Sequence, residues 1–281
     1  MDQTEAVPTA PLRALLPDRL GAPRTPCYGD VCRPLAIAHR GGAGLAPENT
    51  MAAFGRSYAL GLRYVETDVR MTADGTCVLV HDAGIRRVTG RSGRVDRLSW
   101  AQLSRAAVFG TEPVARLEDL LDAYPDTRIT MDLKDPRAIG RIASIVRAFG
   151  AHDRICVAGT GDPWLADARA VLGHRVATAM GWQSTARLVT AARLGRRPYG
   201  VVPAPYVHVP LRLRGFPVFL DRLVTMADEL GSRVIVWTVD EPAVMTRLLD
   251  AGVHGLITDR PDLLREVLVA RDAWQPPVPP S

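Results

Sequence analysis

The chain has 281 residues, 47% hydrophobic and 23% charged, which suits one large domain or two small ones and excludes a disordered or fibrous chain. Its 35 Lys and Arg against 30 Asp and Glu leave a net charge of only +5. That balance excludes a long polyanion as the first partner to propose, so no nucleic-acid role is expected, and it does not by itself establish membrane contact.

Residues 1–34 carry prolines at 8, 11, 17, 23, 26 and 34 without a helical or strand period, which predicts an extended arm lying on the domain. Its opening, Met1-Asp2-Gln3-Thr4-Glu5, lacks the basic start of a secretory signal. No later stretch has the roughly 18 to 20 apolar residues of a membrane span. A soluble, cytoplasmic protein is expected, and nothing in the chain specifies an oligomer. Cys27 and Cys32 are near enough in sequence for a bridge if the protein is exported; free thiols are the expectation in a reducing compartment. Residues 272–281, rich in proline, predict a tail.

The ordered part, 35–271, is close to the roughly 250 residues of a single (β/α)8 barrel. Strands are predicted at 35–39, 64–69, 76–80, 128–133, 155–158, 176–179, 201–202, 234–238 and 255–257, alternating with helical patterns as parallel β/α units require. Nine is one too many. A parallel crossover needs a dozen or more residues, and the turn at Asp74-Gly75 allows only a few, so 64–69 and 76–80 must form a hairpin. The expected fold is therefore an α/β TIM barrel with an extra β-hairpin arm. Helices are expected from residue 50, capped by Asn49 or Thr50, around Leu117 to Tyr124, and after Pro136. Residues 83–115, rich in Arg and Gly, read as a small insertion near the C-terminal rim.

The chemistry lies in ionisable residues inside apolar strands. In Tyr64-Val65-Glu66-Thr67-Asp68-Val69, the period of two sends Glu66 and Asp68 to one side, where two carboxylates repel and lose hydration unless a cation compensates. Asp132 and Lys134 repeat the spacing. Three carboxylates suit one hard divalent ion, Mg²⁺ or Ca²⁺, with Lys134 beside it to hold an anion; an ion-pair network without metal is the alternative. His39 and His81 each end an apolar strand, one followed by Arg40 and the other by Asp82. On the hairpin geometry His81 returns to the height of the carboxylates. Barrel enzymes place their chemistry at this rim, and two imidazoles beside a metal, Arg40 and Lys134 suit a phosphodiester. Glu48 either supports a catalytic group or starts a helix, Asp82 can hold the His81 tautomer, and Trp237 forms a flat wall over the substrate or packs in the core. His152, His174, His208 and His254 read as surface or packing residues.

Ala38-His39-Arg40-Gly41-Gly42, Pro47-Glu48-Asn49-Thr50, Glu66-Thr67-Asp68-Val69, Thr72-Ala73-Asp74-Gly75, His81-Asp82, Asp132-Leu133-Lys134, Trp237-Thr238-Val239-Asp240 and Gly255-Leu256-Ile257-Thr258-Asp259, in that order, resemble the glycerophosphodiester phosphodiesterase family over about residues 35–270. The resemblance implies hydrolysis of small glycerophosphodiesters to sn-glycerol 3-phosphate and an alcohol, through a cyclic phosphate. It also implies His39 and His81 as acid and base, Glu66 and Asp68 as metal ligands, Arg40 on phosphate, Glu48 in support and Lys134 facing the substrate. Three departures stand out: Asp132 where the family has Glu, Asp240 where it has Asn, and Ala115-Arg116 in place of Pro-Thr, after a short insertion. Alternatives are a phospholipase D-like or phosphoinositide-type enzyme that releases the cyclic phosphate, and a barrel that binds without catalysis.

Overall fold

The computed structural model describes residues 27–29, 34–159, 161–213, 216–218 and 221–274. Its main elements in chain order are β1 (Leu35–Ala38), α1 (Met51–Ala59), β2 (Tyr64–Met71), α2 (Leu117–Ala123), β3 (Arg128–Leu133), α3 (Ile139–Ala148), β4 (Ile155–Gly159), α4 (Asp162–Leu172), β5 (Ala177–Thr178), α5 (Trp182–Leu194), β6 (Tyr206–Pro210), α6 (Asp221–Glu229), β7 (Arg233–Trp237), α7 (Pro242–Asp250), β8 (Gly255–Thr258) and α8 (Pro261–Ala270). The strands pair in parallel from β1 through β5 and from β6 through β8 back to β1. A single bridge, Ala179 to Tyr206, joins β5 to β6 and nearly closes an eight-stranded barrel.

The alternation along each strand separates two environments. Outward Ile129, Met131 and Leu133 on β3 pack against helices, as do Val207 and Val209 on β6 and Val234 and Val236 on β7. Ile37, Tyr64, Cys156, Ala177, Tyr206, Ile235 and Ile257 fill the barrel interior. The expected hairpin is present: Cys77–Leu79 returns antiparallel to β2, with Val69 opposite Leu79 and Met71 opposite Cys77. The insertion at 83–115 forms the short helices Arg86–Thr89 and Trp100–Leu103, closed over its own core of Val78, Val80, Ile85, Val88, Val95, Leu103, Val108 and Val114.

One predicted strand is misplaced. Residues 201–202 are not a strand; the sixth barrel strand is Tyr206–Pro210. Its apolar run is interrupted because Tyr206 faces the interior and His208 the cavity, and Pro205 precedes it while Pro210 ends it, so two adjacent valines upstream gave the stronger apolar signal. Of the two candidate caps of α1, Thr50 accepts from the Ala53 amide at 3.3 Å, which leaves Asn49 for another task.

The described part of the N-terminal arm, Cys27–Gly29, enters the bottom of the barrel. Tyr28 is 1% exposed and meets Tyr64 and Tyr206 edge-on, each at 5.4 Å. Its carbonyl accepts from the Tyr64 hydroxyl at 2.8 Å, its own hydroxyl bonds to that of Thr130, and Arg233 donates to the Gly29 carbonyl. A Cβ on Gly29 would overlap the Tyr206 hydroxyl, so only glycine fits there. Because Tyr64, Tyr206 and Arg233 are the first residues of their strands, Tyr28 plugs the end opposite the strand C-termini. Tyr28→Ala should lower unfolding free energy by about 3 kcal/mol, the usual cost of emptying a buried aromatic site. Denaturant titration checks this, and a loss under about 1 kcal/mol would show that the plug is dispensable.

Cys77 and Cys156 are free and buried, while a Cys27–Cys32 pairing lies outside the described residues, as do 1–26 and most of the expected tail. Trp274, within that expected tail, packs partly buried against both helical cores under the Arg265 guanidinium. Among the described residues no helix is long and apolar enough to cross a membrane.

Candidate active site

A cavity opens at the C-terminal end of the strands, lined by His39, Arg40, Glu66, Asp68, His81, Asp132, Lys134, His208, Trp182 and Trp237 among others. The parallel register sets Asp68 beside Asp132 and Glu66 beside Thr130. Strand alternation therefore turns the three carboxylates of Glu66, Asp68 and Asp132 to one side, with ligand atoms all within 4.8 Å of one another. The shorter Asp132 still reaches the group.

Glu66 and Asp68 are 5% and 1% exposed. Burial, reinforced by the Asp68 charge, raises the Glu66 pKa. Burial also pushes Asp68 upward, but Lys134 and Arg40 outweigh it and hold that carboxyl below its ordinary range. Lys134 Nζ lies 2.6 Å from Asp132 Oδ2 and 3.2 Å from Asp68 Oδ1. The second Asp132 oxygen, Oδ1, is buried without a hydrogen-bond partner. An unpaired buried carboxylate oxygen is costly, and within this group of three acids a hard divalent ion is the partner its chemistry fits.

The two imidazoles are held alike. His39 Nδ1 donates to Asp259 Oδ1 at 2.8 Å, and His81 Nδ1 donates to Asp82 Oδ1 at 2.7 Å. Each carboxylate selects the tautomer that leaves Nε2 for a substrate. Burial lowers the His39 pKa, but the Asp259 hydrogen bond and the Glu66 charge more than offset this, and the net shift is upward. Asp240 lies a step behind: its Oδ1 accepts from Thr258 Oγ1 at 2.9 Å and from the Asp259 amide at 2.8 Å, so its charge anchors the turn that carries Asp259.

Arg40 sits in a short turn with φ of +49°, and its amide donates to Glu66 Oε2 at 2.9 Å. A non-glycine residue is strained there, and the next two positions, Gly41 and Gly42 at φ +82° and +100°, complete a turn that side chains would obstruct. The Arg40 side chain donates to Glu48 at 2.9 Å and passes 3.4 Å from Asp68. Glu48 is also gripped by both terminal nitrogens of Arg87, at 2.7 and 2.8 Å, and Arg87 Nε reaches Asp82 at 2.5 Å. The insertion thus ties the His39 loop to the His81 loop through one guanidinium. Asn49 donates to Asp68 Oδ2 and accepts from Thr67, both across to β2.

The structure brings every predicted site residue to this cavity or into direct contact with its lining. It adds Asp259, Arg87, Asn49, Arg70, Trp182 and His208. Asp259 stands in a motif already singled out and Arg87 in the arginine-rich insertion, but only folding supplies their partners. Arg70 follows Asp68 at the inward spacing, a signal that was available; its guanidinium donates to the His81 carbonyl at 2.9 Å and the Lys134 carbonyl at 3.2 Å. His208, read as packing, lines the cavity floor, and burial pushes its pKa down to about 4, so it stays neutral. Trp237 meets Trp182 edge-on at 6.0 Å to form the apolar wall. Arg116, one of the departures, pairs with Asp119 and Trp100 away from the cavity.

Fold and site together define a barrel hydrolase of phosphodiesters. The model of the glycerophosphoryl diester phosphodiesterase family matches residues 39–263, and the chain belongs to that family. It is 40% identical over 244 residues to "Probable glycerophosphodiester phosphodiesterase 2" of Mycobacterium tuberculosis, covering 85% of this chain and 92% of that one. Lysophospholipase D GDPD1 of Rattus norvegicus is 26% identical over 268 residues, covering 83% of this chain and 85% of its own. Among solved structures, an Oleispira antarctica phosphodiesterase in complex with sn-glycerol-3-phosphate superposes with a TM-score of 0.70 at 20% identity, covering 84% and 97% of the two chains. The glycerophosphoryl diester phosphodiesterase domain of a Mycobacterium tuberculosis protein gives 0.73 at 19% identity, covering 85% and 99%. These two show the shared fold.

Proposed function

We propose that the protein hydrolyses glycerophosphodiesters to sn-glycerol 3-phosphate and an alcohol, with His39 and His81 as general acid and base. The observation that carries this reading is the pair of Nδ1-tethered imidazoles on one cavity with a three-carboxylate cluster. Glu66, Asp68 and Asp132 would hold Mg²⁺ or Ca²⁺, which when bound supplies positive charge for the phosphoryl oxygens and lowers the pKa of a coordinated hydroxyl.

Arg40 and Lys134 flank the phosphate position and oppose its charge, Arg40 being aimed by Glu48. One imidazole takes the proton of the neighbouring glycerol hydroxyl as its oxygen attacks phosphorus, and the other protonates the departing alcohol oxygen. The cyclic phosphate then opens to water with the roles exchanged. Asp259 and Asp82 hold both rings in register and stabilise each imidazolium as it forms. Trp182 and Trp237 cover the apolar side and exclude bulk water. A reducing, cytoplasmic setting accords with the free Cys77 and Cys156 thiols.

The test is product identity. Incubation with glycerophosphocholine, glycerophosphoethanolamine or glycerophosphoglycerol should release sn-glycerol 3-phosphate, read by a coupled dehydrogenase, with the cyclic phosphate only transient. Accumulation of cyclic phosphate as the end product would replace hydrolase by lyase, and no turnover of any diester would leave a binding barrel.

Arg70 acts here as a positioning residue, since it pins the backbone of both His81 and Lys134 without facing the phosphate. Arg70→Met should lower kcat by about ten- to a hundredfold, as small displacements of reacting groups do, with little change in KM. In Arg70→Ala, whose short side chain leaves room for it, added guanidinium ion should restore part of the rate. Unchanged kcat would remove the residue from the machinery.

A further inference from the structure

Residues 168–220 contain eight arginines and no Asp or Glu, so the remainder of the chain carries net negative charge. The same segment holds five of the eight large hydrophobic side chains that are exposed among the described residues: Val171, Trp182, Leu194, Tyr199 and Val202. Tyr199 is 94% exposed and Leu194 61%.

Four of these arginines and four of these apolar side chains meet on one face. Helix α5 buries Leu188, Val189, Ala191 and Ala192, and turns Trp182, Arg187, Arg193 and Leu194 outward. The loop that follows adds exposed Arg196, Arg197, Tyr199 and Val202, and a shallow depression between Arg187, Leu194, Arg196, Arg197 and Tyr199 joins helix to loop. Arg187 donates to the Gly200 carbonyl at 2.7 Å, which fastens the loop against the helix. At its other end the face reaches the catalytic cavity, because Trp182 belongs to both.

We propose that this face docks the protein on an anionic lipid surface. Arginines without intervening carboxylates match the negative potential of phosphatidylglycerol-type headgroups, and separate protruding Tyr, Leu and Trp side chains suit the headgroup boundary. A protein partner would need a packed apolar centre with a polar rim, whereas here Leu194 and Tyr199 are interleaved with Arg187, Arg196 and Arg197 around a shallow depression. Docking side-on along α5 brings the mouth of the cavity, marked by Trp182, to the edge of the bilayer. Arg187, Arg196, Arg197, Leu194 and Tyr199 are absent from the cavity lining, so docking and turnover are separable.

The experiment is sedimentation of the full chain with vesicles of equal parts phosphatidylcholine and phosphatidylglycerol, against phosphatidylcholine alone. The protein should sediment with the mixed vesicles, little with the neutral ones, and progressively less as sodium chloride is raised. The combined Arg187→Glu, Arg196→Glu and Arg197→Glu variant should lose on the order of a hundredfold in partitioning, from the usual contribution per basic residue, and keep wild-type turnover of a water-soluble glycerophosphodiester. A Leu194→Ser, Tyr199→Ser variant, which leaves the charges in place, should lose the binding that survives high salt. Absence of binding to the mixed vesicles overturns the proposal, whether an acidic protein or another part of this chain occupies the face. So does equal binding to both vesicles, or wild-type binding by both variants. Vesicle binding without turnover would instead count against the phosphodiesterase reading alone.

Discussion

His39→Ala or His81→Ala should each lower kcat for a glycerophosphodiester by at least about 10²-fold, and toward 10⁴, the range that positioned acids and bases contribute. Both rings hold an Asp through Nδ1 and line one cavity, so removing either leaves one of the two proton transfers to water. On the proposed mechanism the two act as a unit in each step, so the double variant should lose less than the product of the single losses. Asp259→Asn offers a finer check on His39. Asp259 contributes a hydrogen bond and a charge that raise the His39 pKa, so its neutral replacement should move the corresponding limb of the pH–rate profile to lower pH. Near-wild-type turnover by both alanine variants would leave the site without its acid and base.

Removal of divalent ions should abolish most turnover, and Mg²⁺ or Ca²⁺ should restore it. Three acids within 4.8 Å, two of them buried, repel one another, and Arg40 and Lys134 together carry less positive charge than the acids carry negative. The raised Glu66 pKa expresses that imbalance. An ion must displace any proton held there, so apparent metal affinity should increase with pH and binding should release protons, measurable by calorimetry in buffers of different ionisation enthalpy. Asp132→Ala should weaken the ion, and its cost to fold stability should come from the lost Oδ2 bond to Lys134, since Oδ1 has no partner to lose. Full turnover after verified metal removal would reduce the cluster to an ion-pair network around Lys134.

The period of two in Glu66-Thr67-Asp68 and in Asp132-Leu133-Lys134 is a local property of extended backbone, so it announced which side chains share a face before any fold was known. The hairpin at Asp74-Gly75 was legible for the same reason: chain length forbids any other connection. The strand Tyr206–Pro210 was not legible, because its inward Tyr206 and His208 serve the plug and the cavity and so break the apolar signal that marks a strand. Asn49 read as a helix cap and turned out to brace Asp68, a choice made by what lies across the barrel rather than by its neighbours in sequence.

By itself, then, the sequence determined the barrel class, the inward carboxylates and the two strand-end histidines, all of which follow from periodicity and chain length. Tertiary structure alone decided that Asp259 tethers His39 across 220 residues, that Arg87 joins Glu48 to Asp82, and that Tyr28 closes the barrel floor. The first of these is chosen by barrel closure, which brings the first and last strands side by side. No spacing within one segment encodes a contact that exists only after the ends have met.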